Sequence, residues 1–442
     1  MGRYSNARLA AFAGPGLPVA AMGLPLVAFL PPYYSGELGL NLAAVGFVFF
    51  LVRVLDVPFD PLVGHWADNT KTRWGRFKPW VAGGSIICFL AGFAVFFPPQ
   101  NVSIFYLFGF LALLYGGYSA LNVAHTSWGA VIGSEYHERS RVFSFWNGGH
   151  LLGLVLVLLM PAILHAVMGD AAPPAVQTMG LFFLILLPTT VLGALFLVPR
   201  SNTRVDQEKL TFAEVRRAAA QPELRAIVLS DLIFNLGAGA LVSLMRFFLE
   251  QSRGFTDDES SLMLLALVGS GFFALPLWLA LSRRIGKGRT AGIACFTQVA
   301  LHFSIYPFLG GHDVALGVGL YFIAGLPVAA PAFLMRAMLA DYAGDERESG
   351  RPDRVGLLNA LLTTAQKIGY ALPVGIFLPI LSFVGFSNRP GAENGPEAIM
   401  WLEMIYLISL PLGLIPAGII LFKVSADRRR HLGSQADSRP SL

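Results

Sequence analysis

The segment Leu51-Val-Arg53-Val-Leu-Asp56-Val-Pro-Phe-Asp60 places three charges within a stretch that is otherwise apolar enough to cross a membrane. Arg53, Asp56 and Asp60 follow i, i+3 and i+7 spacing, so a helix carries all three on one face. A charge at membrane depth costs about 3 kcal/mol or more unless it pairs or lines a wet cavity. The simpler alternative, that Asp60 frays into the cytoplasmic interface, does not account for the deeper Arg53 and Asp56. The charged face is therefore predicted to be a coupling site for a cation.

The composition of the whole chain is that of an integral membrane protein. Of its 442 residues, 55% are hydrophobic and 13% are charged, whereas soluble domains carry about 25% charged residues. Apolar stretches of ~20 residues are long enough to span a bilayer. The sequence contains about twelve of them, at residues 9–31, 40–66, 79–98, 103–133, 141–168, 176–198, 222–250, 259–283, 289–309, 313–342, 354–385 and 397–424. The predicted fold class is an all-α membrane protein with twelve transmembrane helices.

Basic residues cluster in alternate connections between these spans. The clusters are Lys71, Arg73, Arg76 and Lys78; Arg139 and Arg141; Arg204, Lys209, Arg216 and Arg217; Arg283, Arg284, Lys287 and Arg289; and Arg347, Arg351 and Arg354. Because cytoplasmic loops carry an excess of Lys and Arg, both termini are predicted to be cytoplasmic. The expected location is a bacterial inner (plasma) membrane with the lipid bilayer as partner. The net charge of +5 requires no nucleic-acid partner.

The longest polar stretch between spans divides the chain into two groups of six. The loops after spans 2 and 8 are both short basic turns around a glycine, Gly75 in the first and Gly286 in the second. Such correspondence indicates an internal repeat, which is typical of secondary transporters, and two pseudo-symmetric six-helix bundles are expected. The predicted organisation is an N-terminal bundle at 1–198, a cytoplasmic linker at 199–221, a C-terminal bundle at 222–424 and a cytoplasmic tail at 425–442.

Lys367 is the other deeply placed charge. It lies about 13 residues into span 11, roughly 20 Å from the cytoplasmic end, and Asp56 lies roughly 15 Å from the cytoplasmic end of span 2. At these depths the lysine is within reach of Asp56 and Asp60 across the interface between the halves. A structural salt bridge is the simpler interpretation. However, two carboxylates that face one ammonium leave a negative charge for a mobile cation to balance.

Neutral polar side chains are the next candidates. In span 4, Ser119, Asn122 and Thr126 follow i, i+3 and i+7 spacing, and their stripe either lines a cavity or joins neighbouring helices. Asp231, Arg246 and Arg336 are expected near the membrane edges, as gate or interface groups. The candidate substrate-binding residues are Tyr118, Asn122, Thr126, Trp146, Thr363, Gln366 and Lys367.

Motifs of catalysis and of nucleotide binding are absent from the sequence. It contains no Walker loop, HExxH, paired CxxC or GxSxG motif, so neither ATP-driven pumping nor hydrolysis is predicted. The chain is expected not to be an enzyme and to require no cofactor beyond a coupling ion.

The stretch from Asp56 to Gly64, with the loop from Asp68 to Trp80, strongly resembles the glycoside–pentoside–hexuronide:cation symporters. This is the melibiose-permease-like branch of the major facilitator superfamily. Further matches are Met338-Leu-Ala-Asp341-Tyr and Ala365-Gln-Lys367-Ile-Gly. The resemblance implies a cation site of Asp56, Asp60 and Lys367 with Ser119 as a hydroxyl ligand. Asp68, with Arg73 and Arg76, resembles the superfamily's cytoplasmic latch, and Arg53 is a further candidate for gating.

Some positions depart from the family pattern. Phe59 stands where the family commonly has a side-chain oxygen, Asn122 where melibiose-type members have a sugar-binding aspartate, and Trp146 near their sugar-binding arginine. Span 1 lacks the acidic residue that those members direct at the sugar. The coupling machinery therefore matches, whereas the galactoside-binding set does not.

The predicted function is a cation-coupled symporter that works by alternating access as a monomer. The leading substrate class is a sugar, glycoside or sugar acid. The same Asp–Asp–Lys pattern resembles the animal sodium-dependent lysophospholipid symporters, so a lysophospholipid or other amphiphile is the rival, and a non-transporting scaffold or sensor is a lesser alternative. Sodium would use Asp56 and Asp60 as metal ligands and needs about five or six oxygens, to which Phe59 adds none. A proton needs one carboxylate, so H+ is the expected coupling ion and Na+ the alternative.

Overall fold

The computed structural model describes residues 4–132, 136–199, 220–310, 313–348, 355–389 and 391–437. Within these ranges every regular element is helical and no strand occurs. Twelve segments are long and apolar enough to cross a membrane, which confirms the predicted fold class. The helices of the first half are α1 Asn6–Ala13, α2 Gly16–Ala21, α3 Leu24–Ser35, α4 Leu42–Asn69, α5 Lys78–Phe96, α6 Ile104–Ile132, α7 Tyr136–Met168 and α8 Ala175–Leu197.

The second half contains the other six spans. The predicted linker lies almost wholly outside the described residues, and the last helix continues through most of the segment predicted as a tail. The helices are α9 Pro222–Phe247, α10 Asp257–Ile285, α11 Lys287–Ile305, α12 Val314–Gly325, α13 Ala329–Glu348, α14 Val355–Phe383 and α15 Pro396–Asp437.

Two of the twelve spans are broken, and local glycine or proline accounts for each break. In the first span α1 ends before Gly14, α2 begins after Pro15, and Gly23 stands between α2 and α3. In the tenth span Pro327 separates α12 from α13. Proline provides no N–H for a helical hydrogen bond and clashes with the preceding turn. By contrast, Pro58 lies inside the continuous α4, so the charged face of that helix remains intact.

Equivalent loops of the two halves share one backbone feature. Gly75, before α5, has a φ of 94°, and Gly286, before α11, has a φ of 95°; this left-handed conformation favours glycine. A lysine then anchors each following helix. Lys78 Nζ donates to the Leu195 carbonyl at 2.6 Å, and Lys287 Nζ lies 2.7 Å from a carboxylate oxygen of α13. The shared turn supports the internal repeat.

The halves pack most tightly where α4 meets α14. Two glycines permit the approach: a methyl group on Gly375 would lie 2.5 Å from Phe50 Cβ, and one on Gly46 would lie 2.8 Å from the Val374 carbonyl oxygen. Both glycines are toward the predicted periplasmic end. The charged part of α4 is therefore held against α14 one to three helical turns farther toward the cytoplasmic end.

Two hydrogen bonds between the halves lie at that same periplasmic end. Asn388 Nδ2 donates to the Pro32 carbonyl at 3.0 Å, and Arg389 Nη2 donates to the Gly39 carbonyl at 3.0 Å. Together with the glycine contact, these bonds close the end of the molecule that is farthest from both termini.

Candidate functional site

Three charged side chains from the two halves meet at the α4–α14 interface. Lys367 Nζ lies 2.8 Å from Asp56 Oδ2 and 2.6 Å from Asp60 Oδ2. The two aspartates are one helical turn apart on α4, so both reach the ammonium from one face. The side chains of Asp56 and Lys367 are only 1% and 13% exposed. The structure thus brings together the three residues that were predicted from the sequence to form the cation site.

Asp56 has two further partners. Ser119 Oγ on α6 donates to Asp56 Oδ1 at 2.6 Å, and Arg53 Nη1 lies 3.4 Å from Asp56 Oδ2. Arg53 was assigned to a gate from the sequence, but it belongs to this cluster because i, i+3 spacing brings it to the same carboxylate. Two carboxylates therefore face two cations, and the leftover negative charge that the sequence suggested does not exist in this conformation.

Tyrosines of α6 surround the Arg53 guanidinium. Arg53 Cζ lies 4.4 Å from the centroid of the Tyr115 ring, a cation–π contact, and Tyr118 is close enough to interact electrostatically with Arg53 and Asp56. Tyr115 Oη and Arg53 Nε are buried and have no hydrogen-bond partner among the described residues. An unsatisfied buried polar atom costs about 1–3 kcal/mol. These two atoms are therefore points at which the cluster could accept another polar group.

Few side-chain oxygen atoms are identified around Asp56. Asp56, Asp60 and Ser119 supply the side-chain oxygens, and the carboxylate oxygens Oδ2 are already paired with Lys367. Phe59 packs its ring edge-on against Trp66, with centroids 6.3 Å apart. In the described part of the chain, no three His, Cys, Asp or Glu side chains are grouped to hold a metal ion.

A mostly apolar cavity of about 440 Å³ lies beside this cluster, between α4, α5 and α6. Its polar edge is formed by Asp56 and Tyr115, and Phe59 contributes to its apolar wall. Leu55 and Leu113, which also line the cavity, are 50% and 54% exposed on the outer surface. The cavity therefore joins the lipid-facing side of the first half to the Asp56 carboxylate.

The other candidate substrate residues do not all lie near the cluster. Thr126 Oγ1 donates to the Asn122 carbonyl at 2.8 Å, a bond within α6. Trp146 is 7% exposed, and its ring centroid lies 4.5 Å from that of His125 and 6.3 Å from that of Phe12. Trp146 is thus part of an aromatic cluster between α1, α6 and α7, and its role in substrate binding stays a prediction.

Of the side chains expected on α14, Gln366 has a specific partner. Its Oε1 accepts a hydrogen bond from Arg336 Nη2 of α13 at 2.8 Å. Thr363 is half-buried on the same helix. Gln366 therefore connects α14 to α13 within the second half, and the adjacent Lys367 connects α14 to α4 of the first half.

The predicted cytoplasmic latch is described only in part. The Arg76 guanidinium lies over the Phe77 ring at 4.9 Å, and that of Arg73 lies over the Trp74 ring at 5.9 Å. The Asp68 side chain lies outside the described residues, so the latch stays a prediction.

Arg246 occupies the position expected of a gate group. It is 5% exposed, pairs with Glu250 and Asp257 of its own half, and donates from Nη1 to the Phe29 carbonyl of the other half at 3.3 Å. Asp231 and Arg336 differ from the expectation. Asp231 lies nine residues after the start of α9 and Arg336 seven residues after the start of α13, roughly 14 Å and 10 Å inside those helices. Their charge within an apolar span was the signal that could have marked them as deep residues.

The chain is similar to several known transport proteins. A family model described as MFS/sugar transport protein matches residues 11–427. A lactose permease from Lactobacillus delbrueckii subsp. bulgaricus is 26% identical over 86% of this chain, which spans 63% of the permease's length. The sodium-dependent lysophosphatidylcholine symporter 1 of Gallus gallus is 22% identical over 94% of this chain and 86% of its own.

A solved structure has the same fold. The bacterial homologue of the human lysosomal transporter Spinster, in an inward-facing conformation, superposes with a TM-score of 0.62 and 17% identity, covering 95% of each chain. At this identity the likeness concerns the fold alone.

Proposed function

The chain belongs to the MFS/sugar transport protein family, and from this premise we propose that it is a cation-coupled symporter that works by alternating access. The resemblance to the glycoside–pentoside–hexuronide:cation symporters is confirmed by the family match and the lactose permease relative. A multi-pass membrane transporter of the major facilitator kind follows from family and fold. Coupling to a cation, the substrate class, a monomeric state and a bacterial inner-membrane location with cytoplasmic termini are proposals.

One observation carries the proposal: Lys367 of the second half forms ion pairs with Asp56 and Asp60 of the first. Buried carboxylates at membrane depth require a positive partner or a proton. A cation that binds to the two aspartates takes over this role and releases Lys367 from them. Since Lys367 links α14 to α4, its release loosens the contact between the halves. Ion binding and movement of the halves are thereby coupled.

A proton is the proposed coupling ion. Protonation of one carboxylate needs no additional ligand, whereas sodium needs about five or six oxygens. Asp56, Asp60 and Ser119 supply fewer, and the Phe59 ring packs against Trp66. Sodium is the alternative, and the Gallus gallus relative is a sodium-dependent symporter.

A sugar, glycoside or sugar acid is the proposed substrate class. The family description and the lactose permease relative support it. Polar side chains that could bind hydroxyl groups, including Tyr118 and Gln366, lie near the charged cluster.

The apolar cavity supports a second candidate, a lysophospholipid or other amphiphile. Its walls are apolar, its outer rim is exposed at Leu55 and Leu113, and its inner edge is Asp56. An acyl chain fits such walls, with the polar headgroup toward the charged cluster. The lysophosphatidylcholine symporter among the relatives agrees with this alternative.

Uptake by purified protein in proteoliposomes tests these assignments. The panel contains labelled neutral sugars, glycosides, sugar acids and a lysophospholipid, each offered with and without an imposed ion gradient. We expect gradient-dependent accumulation of a sugar-class compound. Lys367→Ala should abolish it because the exchange partner of the carboxylates is lost, whereas Lys423→Ala, at an exposed position of α15, should retain it. Uptake of the lysophospholipid alone would favour the amphiphile, and no uptake of any compound would favour a scaffold or sensor.

A further inference from the structure

Arg336 presents an incompletely paired positive charge inside the second half. Its Nη2 donates to the neutral Gln366 Oε1 at 2.8 Å, and its side chain is exposed. Among the described residues, no carboxylate oxygen lies within 4 Å of its guanidinium. A guanidinium has five N–H donors arranged in a planar fork that matches a carboxylate or phosphate. Arg336 therefore retains donors for an anionic group.

Asp231 adds an unsatisfied acceptor on the neighbouring helix α9. The residue is 3% exposed, and its Oδ2 is buried without a hydrogen-bond partner in the described part of the chain. Arg336 attracts the Asp231 carboxylate electrostatically, although the two do not form a close ion pair. The Asn235 amide donates to the Asp231 backbone carbonyl at 2.6 Å. A buried oxygen in this position is suited to accept a hydroxyl hydrogen.

The same place is connected by sequence to the coupling cluster. Gln366, which holds Arg336, is followed directly by Lys367, which holds Asp56 and Asp60. A ligand that takes the Arg336 donors displaces Gln366 from them. The displacement acts on the turn of α14 that carries Lys367.

We propose that Arg336, Gln366 and Asp231 form a binding subsite for a polyhydroxy carboxylate, that is, a sugar acid. The guanidinium binds the carboxylate, and Asp231 accepts a hydroxyl of the same molecule. The inference rests on the proposed symport function and narrows its substrate class. A phosphate group has similar charge and geometry, so a lysophospholipid headgroup is the competing source of the anion.

Polar surroundings favour the sugar acid over the lipid at this subsite. Its three side chains are all polar, and the Asp231 carboxylate accepts hydrogen bonds from hydroxyl groups, of which a sugar acid carries several. The apolar cavity, in contrast, is lined by α4, α5 and α6 of the other half. An acyl chain in that cavity and a headgroup at Arg336 would have to extend across the charged cluster.

Isothermal titration calorimetry on the purified full-length protein in nanodiscs tests the subsite. Two acids and their neutral parents are compared, D-glucuronate with D-glucose and D-galacturonate with D-galactose. A short-chain lysophosphatidylglycerol below its micelle concentration provides the phosphate arm. We expect the wild type to bind an acid about tenfold or more tightly than its neutral parent. Hydrogen bonds to a charged partner contribute enough free energy for a difference of this size.

Variants separate the roles of the three residues. Arg336→Gln should raise the Kd for the acid to that of the neutral parent and change the parent's Kd less than twofold. Arg336→Lys keeps the charge but loses the fork, so it should retain part of the preference, and it replaces the first variant if Arg336→Gln fails to fold. Asp231→Asn should weaken acid and parent alike. Arg284→Gln, an exposed arginine at the end of α10, is the matched control and should bind as the wild type does.

Several results would overturn the inference. These are equal or absent binding of acids and parents by the wild type, a preference that survives in Arg336→Gln, or tighter binding of the lysophospholipid than of either acid. Failure of the symport proposal is distinguishable, because it appears as absence of gradient-driven uptake in vesicles. Gradient-driven uptake without a preference for acids would remove the subsite and leave symport in place.

Discussion

At the scale of single residues, Asp56 and Asp60 matter because each carries a charge that an amide lacks. Asp56→Asn or Asp60→Asn should abolish gradient-driven accumulation. An amide has no negative charge, so it cannot release Lys367 and bind a cation in its place. Counterflow exchange should persist in at least one of them. Asp313→Asn, which keeps an N-cap acceptor at an exposed position, should accumulate substrate as the wild type does. Full accumulation by either site variant, measured in sealed vesicles, would contradict the assignment.

Ser119 provides a finer test of the same site. Its hydroxyl donates to Asp56 Oδ1 at 2.6 Å, and a bond to a charged acceptor contributes about 1.5–3 kcal/mol. Ser119→Ala should change the ion concentration for half-maximal transport by about tenfold, while the maximal rate is largely retained. Ser304→Ala, which removes an exposed hydroxyl that bonds within its own helix, is the control. An unchanged ion dependence in Ser119→Ala would exclude Ser119 from the site.

Some contacts of the site could be predicted from the sequence and others could not. The difference is whether spacing along one helix or side-chain direction between helices determines the contact. Asp56 and Asp60 share a helical face, and the depth of Lys367 placed it at their level, so periodicity and length were sufficient. The contacts of Arg53 with Tyr115, and of Arg336 with Gln366, depend on side-chain directions between helices. Spacing along one chain segment does not specify those directions.

At the scale of helices, the contact between α4 and α14 depends on glycine. Phe50 Cβ would lie 2.5 Å from a methyl group on Gly375, so Gly375→Val should force the helices apart. Overpacking of this kind costs about 1–3 kcal/mol and should favour conformations that are open at the predicted periplasmic end. Gly269→Val is the control, because a methyl group there meets nothing within 4 Å. The measurement is the rate at which a periplasmic thiol reagent labels a cysteine introduced at Phe50, and an unchanged rate in Gly375→Val would argue against a seal.

Helix breaks were predictable to different degrees. In the first span the break after Ala13, the last residue of α1, coincides with the run Gly14-Pro15-Gly16, in which a proline lies between two glycines. Proline alone was not decisive, since Pro58 lies within a continuous helix whereas Pro327 separates two. The neighbouring helices decide whether the lost hydrogen bond is tolerated, and a single sequence does not contain that information.

At the scale of the whole molecule, bonds between the halves hold the predicted periplasmic end closed. Asn388, 8% exposed, donates to the Pro32 carbonyl at 3.0 Å. Asn388→Ala should raise the population of molecules that are open at that end about fivefold. This factor corresponds to the loss of a hydrogen bond that contributes about 1 kcal/mol. Spin labels at Glu37 and Glu393, exposed positions on opposite halves, should show a larger fraction at long distance by double electron–electron resonance. Asn394→Ala, whose side chain bonds only within the second half, should leave the distances unchanged, and a shift there equal to that of Asn388→Ala would refute the assignment.

The choice of coupling ion is also tested on the whole molecule, because it is measured as substrate uptake driven by an imposed ion gradient. The described cluster pairs both carboxylates with Lys367 and offers few other oxygens. A proton can replace the lysine on a carboxylate without further ligands, whereas sodium needs additional oxygen ligands. We therefore expect a pH gradient without sodium to drive uptake into sealed vesicles that contain the purified protein. A sodium gradient at equal pH should drive none. If only the sodium gradient works, additional oxygens must enter the site in another conformation, and the preference for the proton is wrong. The two aspartates would still be the coupling residues in that case, because the same carboxylates would bind either ion, and Asp56→Asn would abolish uptake under both gradients.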